Sequence, residues 1–294
     1  MPTTPDAATP ARAVPPAVLT TVALVAFAGN SLLCRLALAR TPIDAASFTA
    51  IRLTAGAATL FLVLRTRRTE RTPRGSWRSA MALFAYAAGF SFAYLHLTAG
   101  TGALLLFGAV QATMISVGLA RGERLALPQA AGLLVACAGL VALVLPGLSA
   151  PPLGAAALMT CAGIAWGIYS LRAKDAGDAT SATAGNFLRA VPMAALLLLV
   201  SGGPRTVDAA GVLYAVASGA LASGLGYAIW YAALRSLRAT TAATVQLSVP
   251  VIASAGGVML LQEPVTLRLV LCGAAILGGV LVVVLSRARR QVGL

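Results

Sequence analysis

Apolar runs of eighteen or more residues recur along almost the whole of this chain, and each is long enough to cross the hydrocarbon of a bilayer. Composition points the same way: of 294 residues, 59% are hydrophobic and only 10% charged, whereas a soluble domain carries about a quarter charged residues. The expected class is an all-α polytopic membrane protein whose first partner is the lipid bilayer.

A net charge of +14 raises the question of a nucleic-acid partner. Placement answers it, because the basic residues occupy short gaps between apolar runs, where they orient helices rather than build one basic face. No nucleic-acid partner is expected. Cys34, Cys137, Cys161 and Cys272 fall one each in separate runs, without CxxC or Cys/His spacing, so neither a metal site nor a disulfide framework is expected. No cofactor is called for.

The pattern predicts ten helices, at 16–38, 44–65, 77–97, 100–120, 127–146, 153–173, 182–201, 209–233, 239–261 and 265–286. Breakers such as "LTAGTG" (97–102), "PGLSAPP" (146–152) and "QEP" (262–264) separate them. With the N-terminus inside, sixteen basic residues fall on the inner side and four on the outer, and "RTRRTERTPRGSWR" (65–78) alone nearly decides the matter. Both termini are therefore expected in the cytoplasm. Residues 1–15, rich in Pro, Thr and Ala, read as a disordered tail lacking the apolar core of a signal peptide, and 287–294 as a short basic tail.

An offset of 140 residues aligns Glu123 with Glu263 and Gly139 with Gly279. Upstream the offset shrinks slightly, so that "AIRLTAGAA" (50–58) falls on "FLRAVPMAA" (187–195) and Arg52 pairs with Arg189. Residues 16–146 and 153–286 thus read as two repeats of five helices. An odd number of spans makes the repeats enter the membrane in opposite directions, an arrangement that transporters use to rock about a central site.

At "GERLALPQAAGLLVACAGLVALV", "LQEPVTLRLVLCGAAILGGVLVVV", "AIRLTAGAA" and "GIAWGIYSLRAK" the chain resembles EamA-type transporters of the drug/metabolite transporter superfamily. The resemblance covers residues 16–287. It implies ten transmembrane helices in two inverted five-helix repeats, in a bacterial inner membrane, exporting or exchanging small metabolites. There are departures: Ala28 stands where an aromatic is usual, although Trp166 fills the equivalent place. Val110 is the counterpart of Pro250, and Cys272 replaces a common Gly.

Chemistry-bearing residues are few. All eight acidic residues lie in tails, gaps or helix ends, so a mid-span carboxylate relay has no candidate. Facilitated diffusion, exchange against a counter-substrate, or proton coupling through another group remain open. Ser91 and His96 are five apart on one predicted helix and point in different directions, against a nucleophile–base pair; no enzyme is expected. Arg52 and Arg189 are intramembrane charges with two readings: counter-charges for an anionic substrate, or guanidinium groups satisfying backbone carbonyls.

The resemblance places the substrate cavity among helices 1, 3, 4, 6, 8 and 9. Their mid-span polar and aromatic residues are Asn30, Ser31, Tyr86, Tyr94, Gln111, Trp166, Tyr169, Tyr227, Trp230 and Gln246. Helix–helix packing and hydrogen bonding compete with cavity lining at each. Glu123 and Glu263, each entering the last helix of a repeat, read as structural markers that accept N–H bonds at a positive helix end, with a gate salt bridge as the alternative.

The scarcity of charge favours a neutral or zwitterionic, amino-acid-like substrate moved by alternating access. A carrier of anionic metabolites and a non-transporting membrane sensor or assembly protein are the competing readings. Monomer and homodimer are both open.

Overall fold

The computed structural model describes residues 15–66, 72–122, 125–147, 149–173, 177–202, 205–234, 236–237, 242 and 245–291, with side chains through 286. The expected N-terminal tail up to residue 14, the side chains of the basic tail, and Glu123 lie outside the described residues. The described residues form helices and no strand. In chain order these are α1 (Pro16–Arg40), α2 (Ala45–Thr66), α3 (Trp77–Ala93), α4 (Ala99–Ala120) and α5 (Leu127–Val144). Then come α6 (Leu153–Ala173), α7 (Ala179–Val200), α8 (Ala209–Leu234), α9 (Ser248–Leu261) and α10 (Leu267–Gln291). Eight are long and apolar enough to cross a membrane; α3 and α9 are shorter.

Side-chain caps set several boundaries. Ser76, Thr98, Asp178 and Asp208 accept backbone N–H bonds at the starts of α3, α4, α7 and α8, satisfying donors that have no partner within the helix. Asp178 explains why α7 begins at Ala179, three residues earlier than the pattern predicts. Helix α3 ends at Ala93, short of the expected 97, because Tyr94 caps it and Thr98 must cap the next helix. Within α8, Ser218–Leu225 is wound as a π-helix. Helix α9 ends at Leu261 and is capped by Gln262 in the left-handed conformation, φ 57°.

Most of the packing pairs exchange when α1–α5 are swapped with α6–α10. Contacts α3–α6 and α1–α8 exchange, as do α4–α6 with α1–α9, and α3–α7 with α2–α8; α2–α7 and α5–α10 map onto themselves. That exchange is the pattern two five-helix repeats produce, inverted because five is odd. At the α5–α10 crossing a Cβ on Gly132 would sit 2.6 Å from the Gly279 carbonyl oxygen, so only glycine permits that approach. Around the bundle large apolar side chains face outward, with Leu127 84% and Leu199 81% exposed, as a surface solvated by lipid requires.

Candidate functional site

The starts of α1, α3, α5, α7 and α9 and the ends of α2, α4, α6 and α8 share one end of the bundle; the opposite helix termini share the other. A cavity of about 490 Å³ opens at the first end, between the α6–α7 and α8–α9 connections. Gln111, Trp166, Tyr227, Trp230 and Gln246 line it, together with Phe27, Ser170, Asp178 and Tyr231. Its inner wall is aromatic: the Trp166 ring is tilted against Tyr227 at 5.0 Å and Tyr86 at 4.7 Å between centroids, and Phe27 meets Tyr227 edge-on at 5.8 Å.

Against that wall lies a smaller space of about 20 Å³, bordered by Asn30, Ser31, Tyr86 and Phe90 and sharing Phe27, Phe107, Trp166 and Tyr227 with the larger cavity. That is room for about one water molecule. Asn30 Nδ2 donates to the Tyr86 hydroxyl at 3.0 Å, and Ser218 donates to Asn30 Oδ1 at 2.7 Å. The π-helical stretch of α8 thereby meets α1 and α3 through polar groups, a common position for π-helical winding at a functional site.

Arg52 completes this polar centre. It is 1% exposed, its Nη2 donates to the Tyr86 hydroxyl at 2.8 Å, and its guanidinium lies 5.2 and 4.8 Å from the Tyr86 and Phe90 ring centroids. Arg189 differs. Its Nη1 donates to the carbonyls of Arg74 at 3.0 Å and Gly185 at 2.8 Å, pinning the segment ahead of α3 onto α7. A Cβ on Gly185 would collide with the Arg74 carbonyl, so glycine is what admits that segment.

At the second end an ion pair closes the bundle over the buried Tyr94, beside a cavity of about 400 Å³ lined by Thr98, Ser254, Glu263 and Leu269. Arg35 Nε pairs with Glu263 Oε1 at 3.0 Å, while its Nη1 donates to the Tyr94 carbonyl at 2.9 Å. Glu263 Oε2 accepts the Ala99 N–H at 2.8 Å. The carboxylate therefore sits at the start of α4 rather than on the helix that follows it, because the left-handed Gln262 turns the chain back toward α4. Arg40 adds a bond to the Leu261 carbonyl at 3.1 Å.

Of the residues singled out from sequence, Gln111, Trp166, Tyr227, Trp230 and Gln246 meet at the main cavity, and Asn30, Ser31 and Tyr86 at the small inner space. Tyr94 and Tyr169 lie outside both. Tyr94 is buried under the closed end and donates to the Ala99 carbonyl at 3.2 Å, and Tyr169 donates to Thr183 at 3.3 Å. His96 is exposed in the turn after α3. Arg35, Phe27 and Ser218 also belong to these arrangements, though the sequence pattern does not single them out. Arg35 had a signal, since it and Glu263 are opposite charges at the same expected membrane face. Among the described residues no three His, Cys, Asp or Glu side chains come together as a metal site.

Residues 153–285 match the EamA-like transporter family. The chain is 56% identical over 278 residues to a protein of Pseudomonas aeruginosa named "Uncharacterized protein PA1977", covering 93% of this chain and 97% of that one. A solved crystal structure superposes with a TM-score of 0.66 at 18% identity, over 95% of this chain and 99% of the other, which speaks to the fold. The chain belongs to the EamA-like transporter family, multi-pass membrane carriers of small molecules.

Proposed function

We propose that the protein is an inner-membrane permease that moves small organic metabolites, amino-acid-like and neutral or zwitterionic, by alternating access. One observation carries the reading: a cavity of about 490 Å³ reaches the middle of the bundle from one end, while the Arg35–Glu263 pair seals the other. That is one half of an alternating-access cycle, and rocking of repeat 16–146 against repeat 153–286 would produce the other half. The open end is the one flanked by the basic gap 65–78, so it faces the cytoplasm with both tails, 1–15 and 287–294. Amide and hydroxyl groups on an aromatic wall suit a substrate with an apolar body and a few polar groups.

The test is purified protein in liposomes offered a metabolite panel, with and without a pH gradient. Saturable uptake of an amino-acid-like compound is expected; uptake of no compound under either condition sinks the permease reading.

A further inference from the structure

Resting on the permease reading, we propose that the substrate carries a carboxylate, bound at the inner end of the cavity by Tyr86, with Arg52 and Asn30 positioning that hydroxyl. Arg52 lies about 10 Å along α2 from Ala45 and is 1% exposed. Its guanidinium keeps its charge at any working pH, and an uncompensated buried charge is costly. Nevertheless its Nε and Nη1 have no hydrogen-bond partner, and the ion pair seen among the described residues, Arg35–Glu263, leaves it aside. Two aromatic faces and one hydroxyl are what it has.

A purely structural arginine in this same fold looks different. Arg189, its repeat counterpart, uses its donors on backbone carbonyls. Arg52 instead supports a polar centre that borders the small space behind the cavity wall.

The hydrogen-bond directions there select the ligand group. The Tyr86 oxygen accepts from both Arg52 and Asn30, which occupies its two lone pairs and leaves its hydrogen to donate. Ser31 Oγ borders the same space. An ionised carboxylate is acceptor-only, so one of its oxygens, filling the space of about one water, suits these hydroxyls and its charge answers Arg52. A carboxamide would bring an NH₂ donor against donors, and an ammonium would meet the guanidinium. The substrate body then lies outward along Trp166 and Tyr227 toward Gln111.

Equilibrium dialysis of the full-length purified protein tests this with phenylacetate, indole-3-acetate and phenylalanine. Each is compared with its carboxamide and with the matching amine, 2-phenylethylamine or tryptamine. The acids should bind about ten- to hundredfold more tightly than the amides. Y86F and R52M should erase that preference, while R52K, which keeps the charge, restores part of it. Thermal unfolding identifies any variant that fails to fold, and Y86F alone suffices if R52M does. Equal binding of acid and amide to the native protein, or a preference that survives in Y86F, overturns the carboxylate site and leaves the permease standing. Binding of none of these compounds, together with no uptake of any metabolite into liposomes, overturns both.

Discussion

Arg35 and Glu263 meet at 3.0 Å, joining the far half of α1 to the turn between α9 and α10 and so linking the two repeats at their closed end. With side chains 20% and 11% exposed, the pair is shielded enough that salt screens it only partly. Because Glu263 also holds the start of α4 through the Ala99 N–H, one carboxylate ties three helices. Opening this end requires α1 and α4 to leave it.

Glu263→Gln keeps the shape and removes the charge. In a background with the four native cysteines replaced, a cysteine at Ser31 should then react faster with a membrane-impermeant thiol reagent applied from the closed side. Losing one to two kcal/mol shifts a two-state ratio about five- to thirtyfold. Arg35→Gln should do the same, and the double variant no more than either single one, as expected of partners in one interaction. Labelling that stays at the native rate in both single variants would remove the pair from the gate.

Arg189→Gln should reduce stability and leave substrate ranking alone. It removes bonds to the Arg74 and Gly185 carbonyls, worth about 1–3 kcal/mol together, and loosens the segment ahead of α3. A lower unfolding temperature in detergent, with the order of ligand affinities unchanged, is the expected result. An altered order at unchanged stability would place Arg189 in the substrate path.

Arg52 and Arg189 also show how far the sequence reaches. Their equivalence under the repeat is legible, as are the ten helices, because both depend on periodicity and order. Their separate fates depend on partners from elsewhere: a backbone carbonyl of the 72–76 segment for Arg189, and Tyr86 on α3 for Arg52. Tyr94 and Tyr169 look as suited to a cavity as Tyr227 in a linear reading. Only the rotation of α3 and α6 about their axes, set by packing, turns them into the interior. The bond from Ala99 N–H to Glu263 is not legible for another reason: a single left-handed residue, Gln262, redirects the carboxylate toward α4.

The α5–α10 pair packs glycine against backbone. A Cβ on Gly132 would lie 2.6 Å from the Gly279 oxygen, and one on Gly279 2.7 Å from the Ala136 nitrogen. Gly132→Val or Gly279→Val should therefore destabilise the protein by about 1–3 kcal/mol, the range for overpacking. Thermal unfolding reads this directly, and since the pair lies away from the cavity lining, ligand affinity of the surviving folded protein should be native. Full native stability in both variants would show that this crossing is looser than described.

Asp44 supplies a pH dependence outside the membrane. Its carboxylate accepts from Ser47 N–H at 2.8 Å, Ser47 Oγ at 2.7 Å and Thr206 N–H at 3.2 Å, starting α2 and tying it to the segment before α8. Burial pushes this carboxyl up, but the Ser47, Thr206 and Ala46 hydrogen bonds outweigh it and hold the carboxyl below its ordinary 3.8. A group depressed on folding stabilises the folded state above its unfolded pKa, and that contribution disappears as pH falls through the folded value. The native protein should therefore lose stability to acid below pH 3.8, and Asp44→Asn should lose less over the same range. Asparagine is itself a good helix N-cap, so at neutral pH the variant should be only slightly weaker, and the two unfolding temperatures should converge on acidification. Parallel curves from neutral pH to below pH 3.8 would show that Asp44 contributes no such linkage.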